Sequence, residues 1–307
     1  MERRSIGSLS VSVVGVGCNN FGSRLDQART SDVVSAALDV GINLFDTADI
    51  YGGTQSEVFL GRALGARRDE VVVATKFGMP IDDRHYGARP DYVRSACEAS
   101  LARLGTDRID LYQLHAPDDT VPFADTLGAL AELVAAGKVR EIGCSNLSAT
   151  QLREAHAAAG DGPTFVSVQN QYSLLARDPE RDGVLDACGV LDTAFLPYYP
   201  LANGLLTGKV RPGAPVPEGT RLSAMAPERS AHWLSERIVN RVGDLLEYAE
   251  EVHVPLLTLA FSWLLSHAPV SSVIAGASNP QQVRANAAAA GELDSAIRAR
   301  LDELSAV

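Results

Sequence analysis

Four side chains stand out for the chemistry they could share: Asp46, Tyr51, Lys76 and His115. The first two lie in residues 42–57, INLFDTADIYGGTQSE. A short apolar run, Ile42 to Phe45, delivers Asp46; Tyr51 follows, and then Gly52-Gly53. The run is bounded by turn residues, so it reads as a buried strand with a polar exit loop. Two further runs, Val71 to Thr75 and Ile109 to Leu114, end at Lys76 and His115. A carboxylate, a phenol, an ammonium and an imidazole at strand ends make a proton-donor set. A free tyrosine, with a pKa near ~10, is a weak acid at neutral pH. An ammonium at ~4 Å, with an effective dielectric of ~20, favours the phenolate by about 4 kcal/mol. That attraction would lower the phenol's pKa by up to ~3. Asp46 would keep the lysine charged, and His115 could orient a carbonyl oxygen or share the proton. The reaction that needs this is addition to a carbonyl whose oxygen becomes an alkoxide. Singly, each residue has an ordinary explanation: a turn cap, a packed phenol, a strand-end lysine reaching solvent, a structural histidine. Their joint placement at strand ends carries the chemical reading.

The elements that must position them span the chain. Residues 4–12 read as a small hairpin, and Val13 to Gly17 as the first buried strand, ending in a loop at Cys18-Asn19-Asn20. Ser31 to Val40 has helical spacing and stops at Gly41. After the strand with Asp46, a helix is expected over Glu57–Leu64 and another over Pro90–Leu104, closed by Gly105. Further helices fall at Phe123–Ala136 and Ser148–Ala159, with strands at Val139–Gly143 and Val166–Val168. Arg181–Cys188 reads as a helix stopped by Gly189, and Thr193–Leu196 as a strand ending in Pro197-Tyr198-Tyr199-Pro200. A long irregular segment, about 203–230, precedes helices near 235–251 and 257–267. The last strand is Val270–Ile274, followed by helices over 279–289 and 294–305. Roughly eight strand–helix units without a linker predict one α/β domain over 1–307. It is a single (β/α)8 TIM barrel with a short N-terminal hairpin and extra C-terminal helices. A doubly wound open sheet is the alternative. Gly15-Val16-Gly17 followed by Asn20 lacks the third glycine that a dinucleotide fingerprint needs.

Composition narrows the function. At 307 residues, 46% apolar and 21% charged, the chain is ordinary for a globular protein. Its net charge of −11 argues against nucleic acid and anionic membrane surfaces as partners. No run approaches the ~20 apolar residues of a membrane span, and no apolar signal core follows Met1. The cysteines, Cys18, Cys97, Cys144 and Cys188, form no CxxC pair and read as buried free thiols of a reducing cytoplasm. With no His-x-His at a strand end, a metal centre is not expected.

From the first strand to the penultimate helix, the sequence resembles the aldo-keto reductase family. The likeness rests on FDTADIYG, VATKFG, DLYQLHAPD, IGCSNLS, VQNQYSLL, PYYPLANGLLTGK and VIAGASNPQQVRAN. The resemblance implies that Tyr51 is the proton donor and that Asp46, Lys76 and His115 complete a tetrad. It implies an extended nicotinamide dinucleotide, with Ser145, Asn146 and Gln169 at the carboxamide and Tyr198 stacked on the nicotinamide. Pro200, Leu201, Asn203, Leu206 and Lys209 would follow the pyrophosphate, with Arg221 closing over it. Gly276, Ser278, Gln282 and Asn286 would hold the adenosine end. Gly17, Cys18, Asn19 and Asp46 complete the cofactor set. Many members carry lysine and arginine where Gly276 and Gln282 stand, to grip the 2′-phosphate of NADPH. Here Ser278, helix N–H groups or Arg284 would take that role, so NADPH is expected, with NADH as the alternative. Ala285 also replaces a glutamate common in the family. The implied reaction is NAD(P)H-dependent reduction of an aldehyde or ketone. The alternative is a dinucleotide-sensing subunit with little turnover. Phe21, Phe77, Met79, His85, Tyr86 and Trp233 are candidate substrate-wall residues.

Overall fold

The structure is a computed structural model, described over residues 1–306. Strands β1 (Arg3–Ile6) and β2 (Leu9–Ser12) form an antiparallel hairpin through Gly7, whose φ of 53° suits a residue without a side chain. Eight parallel strands follow: β3 (Val14–Gly17), β4 (Leu44–Asp46), β5 (Val72–Phe77), β6 (Ile109–Leu114), β7 (Val139–Ser145), β8 (Ser167–Gln171), β9 (Ala194–Tyr198) and β10 (Val273–Gly276). They are ordered β10-β3-β4-β5-β6-β7-β8-β9. The ends meet where Phe195 bridges Val270, with Phe195 N–H donating to Pro269 O at 2.7 Å. This is the (β/α)8 barrel that the strand–helix alternation predicts.

Two apolar layers hold it. Outward-facing Phe45, Val73, Tyr112 and Val168 pack beneath the surrounding helices in the main core. Inward-facing Leu44, Val72, Ala74, Leu111, Leu196 and Ile274 form a second cluster with Ile6, Leu9 and Val11 of the hairpin. The hairpin therefore plugs the barrel's N-terminal end. Each buried aliphatic side chain contributes about 1.5–3 kcal/mol over its exposed state. Side chains alternate along a strand, so the residues two positions beyond this apolar layer also point inward. Those residues are Asp46, Lys76 and Gln113, and they sit at the C-terminal end.

The helices over Pro90–Leu104, Phe123–Ala135 and Ala149–Ala158 lie within one residue of expectation. Ser148 and Gln151 close a capping box at the last of these. Several expected boundaries are wrong: the helix set at 31–40 runs over Gln27–Asp39, and the last strand, set at 270–274, runs over Val273–Gly276. The helix set at 181–188 runs over Val184–Leu191, through Gly189, and ends at Asp192 in the left-handed conformation. The irregular segment contains 3-10 turns at Ala202–Thr207 and one helical turn at Pro227–Ser230. Among the described residues no helix is long and apolar enough to cross a membrane.

Candidate active site

The C-terminal mouth of the barrel opens into a cavity of about 680 Å³. Asp46, Tyr51 and His115 line it, and Lys76 lies wholly buried beneath. Lys76 Nζ donates to Asp46 Oδ2 at 2.6 Å and to Thr47 O at 3.0 Å. The same ammonium is 5.3 Å from the centroid of the Tyr51 ring. The Tyr51 and His115 rings meet edge to face at 5.7 Å. The four side chains named first are thus one cluster. Gly52 and Gly53, with φ of 59° and 60°, turn the chain directly after Tyr51. A side chain at Gly52 would strike Phe21 O at 2.4 Å, so the turn needs a glycine there.

The electrostatics overturn one expectation. Burial pushes the Tyr51 phenol above its ordinary value; the Lys76 charge pulls it back, and Asp46 and Tyr199 push it up again. The net direction is up, not down, because burial is the largest influence and Asp46 and Tyr199 add to it against the Lys76 charge. Tyr51 is therefore a fully protonated phenol at neutral pH. Burial alone would lower the Lys76 ammonium, but Asp46 and Tyr51 outweigh it and hold it above its ordinary value. His115 is driven down to about 3 by burial and by the Lys76 charge, so it is a neutral imidazole. Its one N–H can orient a substrate oxygen by a hydrogen bond, but near neutrality it carries no second, acidic proton to give up.

Asn146, in the left-handed conformation at φ 61°, ties four strand ends together. Its Nδ2 donates to His115 O at 2.9 Å, its N–H to Asn170 Oδ1 at 2.7 Å, and its Oδ1 accepts from Tyr198 Oη at 2.8 Å. Ser145 Oγ donates to Gln169 O at 2.6 Å, and Gln169 Nε2 to Asp46 Oδ1 at 2.9 Å. Gln169 Oε1 is left to accept from an amide in the cavity. Beyond β9 the backbone is strained: Tyr199, Ala202 and Asn203 all have positive φ. Arg221 folds back over Tyr199, 5.0 Å from its ring, and donates to its hydroxyl at 3.3 Å.

Most of the residues implied for a cofactor face this cavity: Gly17, Asn19, Ser145, Asn146, Gln169, Tyr198, Pro200, Leu201, Asn203, Lys209, Arg221, Gly276, Ser278, Gln282 and Asn286. Cys18 and Leu206 do not. Both side chains are wholly buried in the apolar core. Arg284 points elsewhere, into a small cavity with Met1, Glu2 and Val40, and so cannot serve the adenosine end. The helix over Pro280–Ala288 is partly self-capped, since Asn279 Oδ1 accepts from Gln282 N–H and Gln282 Oε1 from Ser278 N–H. Of the candidate wall residues only Met79 lines the cavity; Phe21 and Phe77 are buried, while His85 and Tyr86 are exposed. Ile50, Tyr199 and Leu257 line it instead.

Residues that the sequence reading missed are Gln113 and Arg24. Gln113 precedes His115 by two positions, a spacing that could have found it. Arg24 lines the cavity from the loop after β3, and no sequence pattern singled it out. That loop is pinned beside the β10 exit, where Asn20 Nδ2 donates to Ala277 O at 3.3 Å. The residues present fit an extended dinucleotide. The Oδ1 atoms of Asn19 and Asn203 are buried without partners, Tyr198 offers a flat ring, and Arg24, Lys209 and Arg221 have no carboxylate partner among the described residues.

Known proteins share this architecture. A family model described as the Aldo/keto reductase family matches residues 13–306. The chain is 39% identical over 207 residues to "Probable aldo-keto reductase 1" of Glycine max, covering 65% of this chain and 58% of that protein. It thus spans a little over half the length of that curated relative. The solved structure of aldo-keto reductase AKR11C1 from Bacillus halodurans, in its holo form, is 32% identical with a TM-score of 0.80. That likeness covers 99% of this chain and 96% of the other. With a family match that begins at β3 and runs to the last helix, this chain belongs to the aldo/keto reductase family.

Proposed function

We propose that this protein reduces an aldehyde or ketone to an alcohol with a reduced nicotinamide dinucleotide, NADPH in preference to NADH, and that Tyr51 donates the proton. The observation that carries the proposal is the buried Lys76–Asp46 pair beneath Tyr51, with His115 edge-on to the same ring. When bound, the dinucleotide supplies a hydride to the carbonyl carbon. The chain's own residues supply the rest. Neutral His115 donates a hydrogen bond to the carbonyl oxygen and sets its direction. Tyr51 keeps its proton until negative charge develops on that oxygen. A nascent alkoxide, roughly as basic as hydroxide, is a far stronger base than a phenolate, so the transfer runs downhill. The Lys76 ammonium then steadies the phenolate left behind.

Ser145, Asn146 and Gln169 would hold the carboxamide and Tyr198 the nicotinamide face. Pro200, Leu201, Asn203, Lys209 and Arg221 would follow the pyrophosphate, and Gly276, Ser278, Gln282 and Asn286 the adenosine. Three cations lining the cavity without a carboxylate partner among the described residues, in a chain with net charge −11, favour the more anionic NADPH. Residues 1–307 act as one catalytic unit in a reducing cytoplasm, where four buried free thiols persist. The test follows reduced-cofactor absorbance against a panel of aldehydes and ketones, once with each dinucleotide. Turnover with NADPH exceeding that with NADH is expected. Tight dinucleotide binding with no carbonyl consumed would overturn the proposal.

A further inference from the structure

Beneath the cavity, against the far side of Asp46, lies one donor that no role above uses. Gln113 is wholly buried on β6, two residues before His115, and both side chains enter the barrel. Its Nε2 donates to Asp46 Oδ1 at 3.1 Å, beside Gln169 Nε2 at 2.9 Å. The second carboxylate oxygen takes Lys76 Nζ at 2.6 Å. Gln113 and Lys76 are register partners across β5 and β6. The carboxylate is therefore gripped by three strands, through one charged and two neutral donors. With both amides on Oδ1, rotation about the carboxylate axis is blocked and Oδ2 is committed to the lysine. The neutral donors spread the carboxylate's charge without cancelling it. Gln113 Oε1 and the nearby Ser167 Oγ have no hydrogen-bond partner among the described residues. A leucine would fill this position without leaving an orphaned acceptor, so packing does not account for an amide here.

We infer that Gln113 is a positioning residue of the catalytic set, locking the Asp46 carboxylate so that the Lys76 ammonium stays beneath Tyr51. This rests on the reductase reading above. The groups that face Tyr51 are Lys76, Asp46, His115, Tyr198 and Tyr199, and Cys18 also faces Asp46. Of these only His115 leaves the β6 strand with Gln113, so a change at Gln113 reaches Tyr51 through Asp46 and Lys76.

Two variants test it. Gln113→Met keeps the volume and removes the donor; Gln113→Glu keeps the shape and donates only while its carboxyl is protonated. For Gln113→Met we expect kcat to fall by about ten- to a hundred-fold, with the dinucleotide KM within about two-fold of wild type. An Asp46 with one donor fewer draws the Lys76 proton harder and weakens its field at the phenol. The alkaline limb of kcat then moves to higher pH. Gln113→Glu should regain turnover at low pH and lose it as the new carboxyl ionises. A merely structural role would lower the melting temperature and leave the pH profile of the folded enzyme alone. The inference is overturned if Gln113→Met matches wild type in kcat and pH profile, or if Gln113→Glu shows no pH-dependent recovery. If Gln113→Met does not fold, Gln113→Glu carries the test alone. Tyr51→Phe in the same assay separates the two claims. Should it lose turnover while both Gln113 variants behave as wild type, only the Gln113 role fails; should it turn over normally, the reductase reading falls and this role with it.

Discussion

Lys76 Nζ lies 2.6 Å from Asp46 Oδ2, with the lysine side chain unexposed and the aspartate side chain 4% exposed. Two opposite charges so far from water hold each other in place, and removing either strands the other. Breaking such a pair costs about 3–5 kcal/mol. Asp46→Asn and Lys76→Met should each lose about that much stability in urea denaturation. The double variant should be less damaged than the sum, with a coupling of roughly 2 kcal/mol or more. Additive losses would mean that the pair is not the unit described.

Stability should also depend on pH in two opposed ways. His115, buried and 8% exposed, titrates at about 3 in the folded chain against about 6.5 when unfolded. Between those values the unfolded state binds the extra proton. This contribution is complete above pH ~6.5 and is lost as pH falls toward 3. Asp49 has the opposite sense. Burial, then repulsion from Glu57, raises its carboxyl to about 7, with Arg103 and the Tyr92 hydroxyl only partly compensating. Its contribution is complete below pH ~4 and is lost as pH rises through 7. For either group, stability changes by at most about 1.4 kcal/mol for each step of one in pH across its window. The two slopes oppose between pH ~4 and ~6.5, and wild-type stability should be nearly flat there. Asp49→Asn removes one side. Its stability should climb with pH across that window and exceed wild type at pH 8 in denaturant titrations.

Gly61 tests the packing rather than the chemistry. It sits in the helix over Gln55–Leu64, where an added Cβ would lie 2.1 Å from Leu104 O at the end of the helix over Pro90–Leu104. Gly61→Ala must force the two helices apart, at a cost of about 1–3 kcal/mol. The melting temperature should drop while kcat per folded molecule stays near wild type, because the contact lies outside the cavity. An unchanged melting temperature would contradict this packing.

The barrel and its four-residue cluster were legible in the sequence because both follow short-range rules. Apolar runs end at Asp46, Lys76 and His115, and strand periodicity turns those residues inward. Helices with clear caps, such as Pro90 to Gly105, came out within a residue. Gly189 misled because a glycine is a stop signal only where φ must be positive; here Asp192 takes that role at φ 51°. What the sequence could not give is the balance of long-range terms. The direction of the Tyr51 pKa depends on how far burial outweighs one ammonium already bound to a carboxylate. The side-chain bridge from Asn146 to four strand ends, and the turning away of Arg284, likewise depend on tertiary placement.

The most direct measurement is single-turnover reduction by Tyr51→Phe beside dinucleotide binding by the same protein. A phenylalanine keeps the ring against His115 and Lys76 and removes only the hydroxyl. If Tyr51 is the proton donor, dinucleotide affinity stays within about two-fold of wild type while the rate of carbonyl reduction falls by at least about a hundred-fold. Reduction at the wild-type rate would contradict that role.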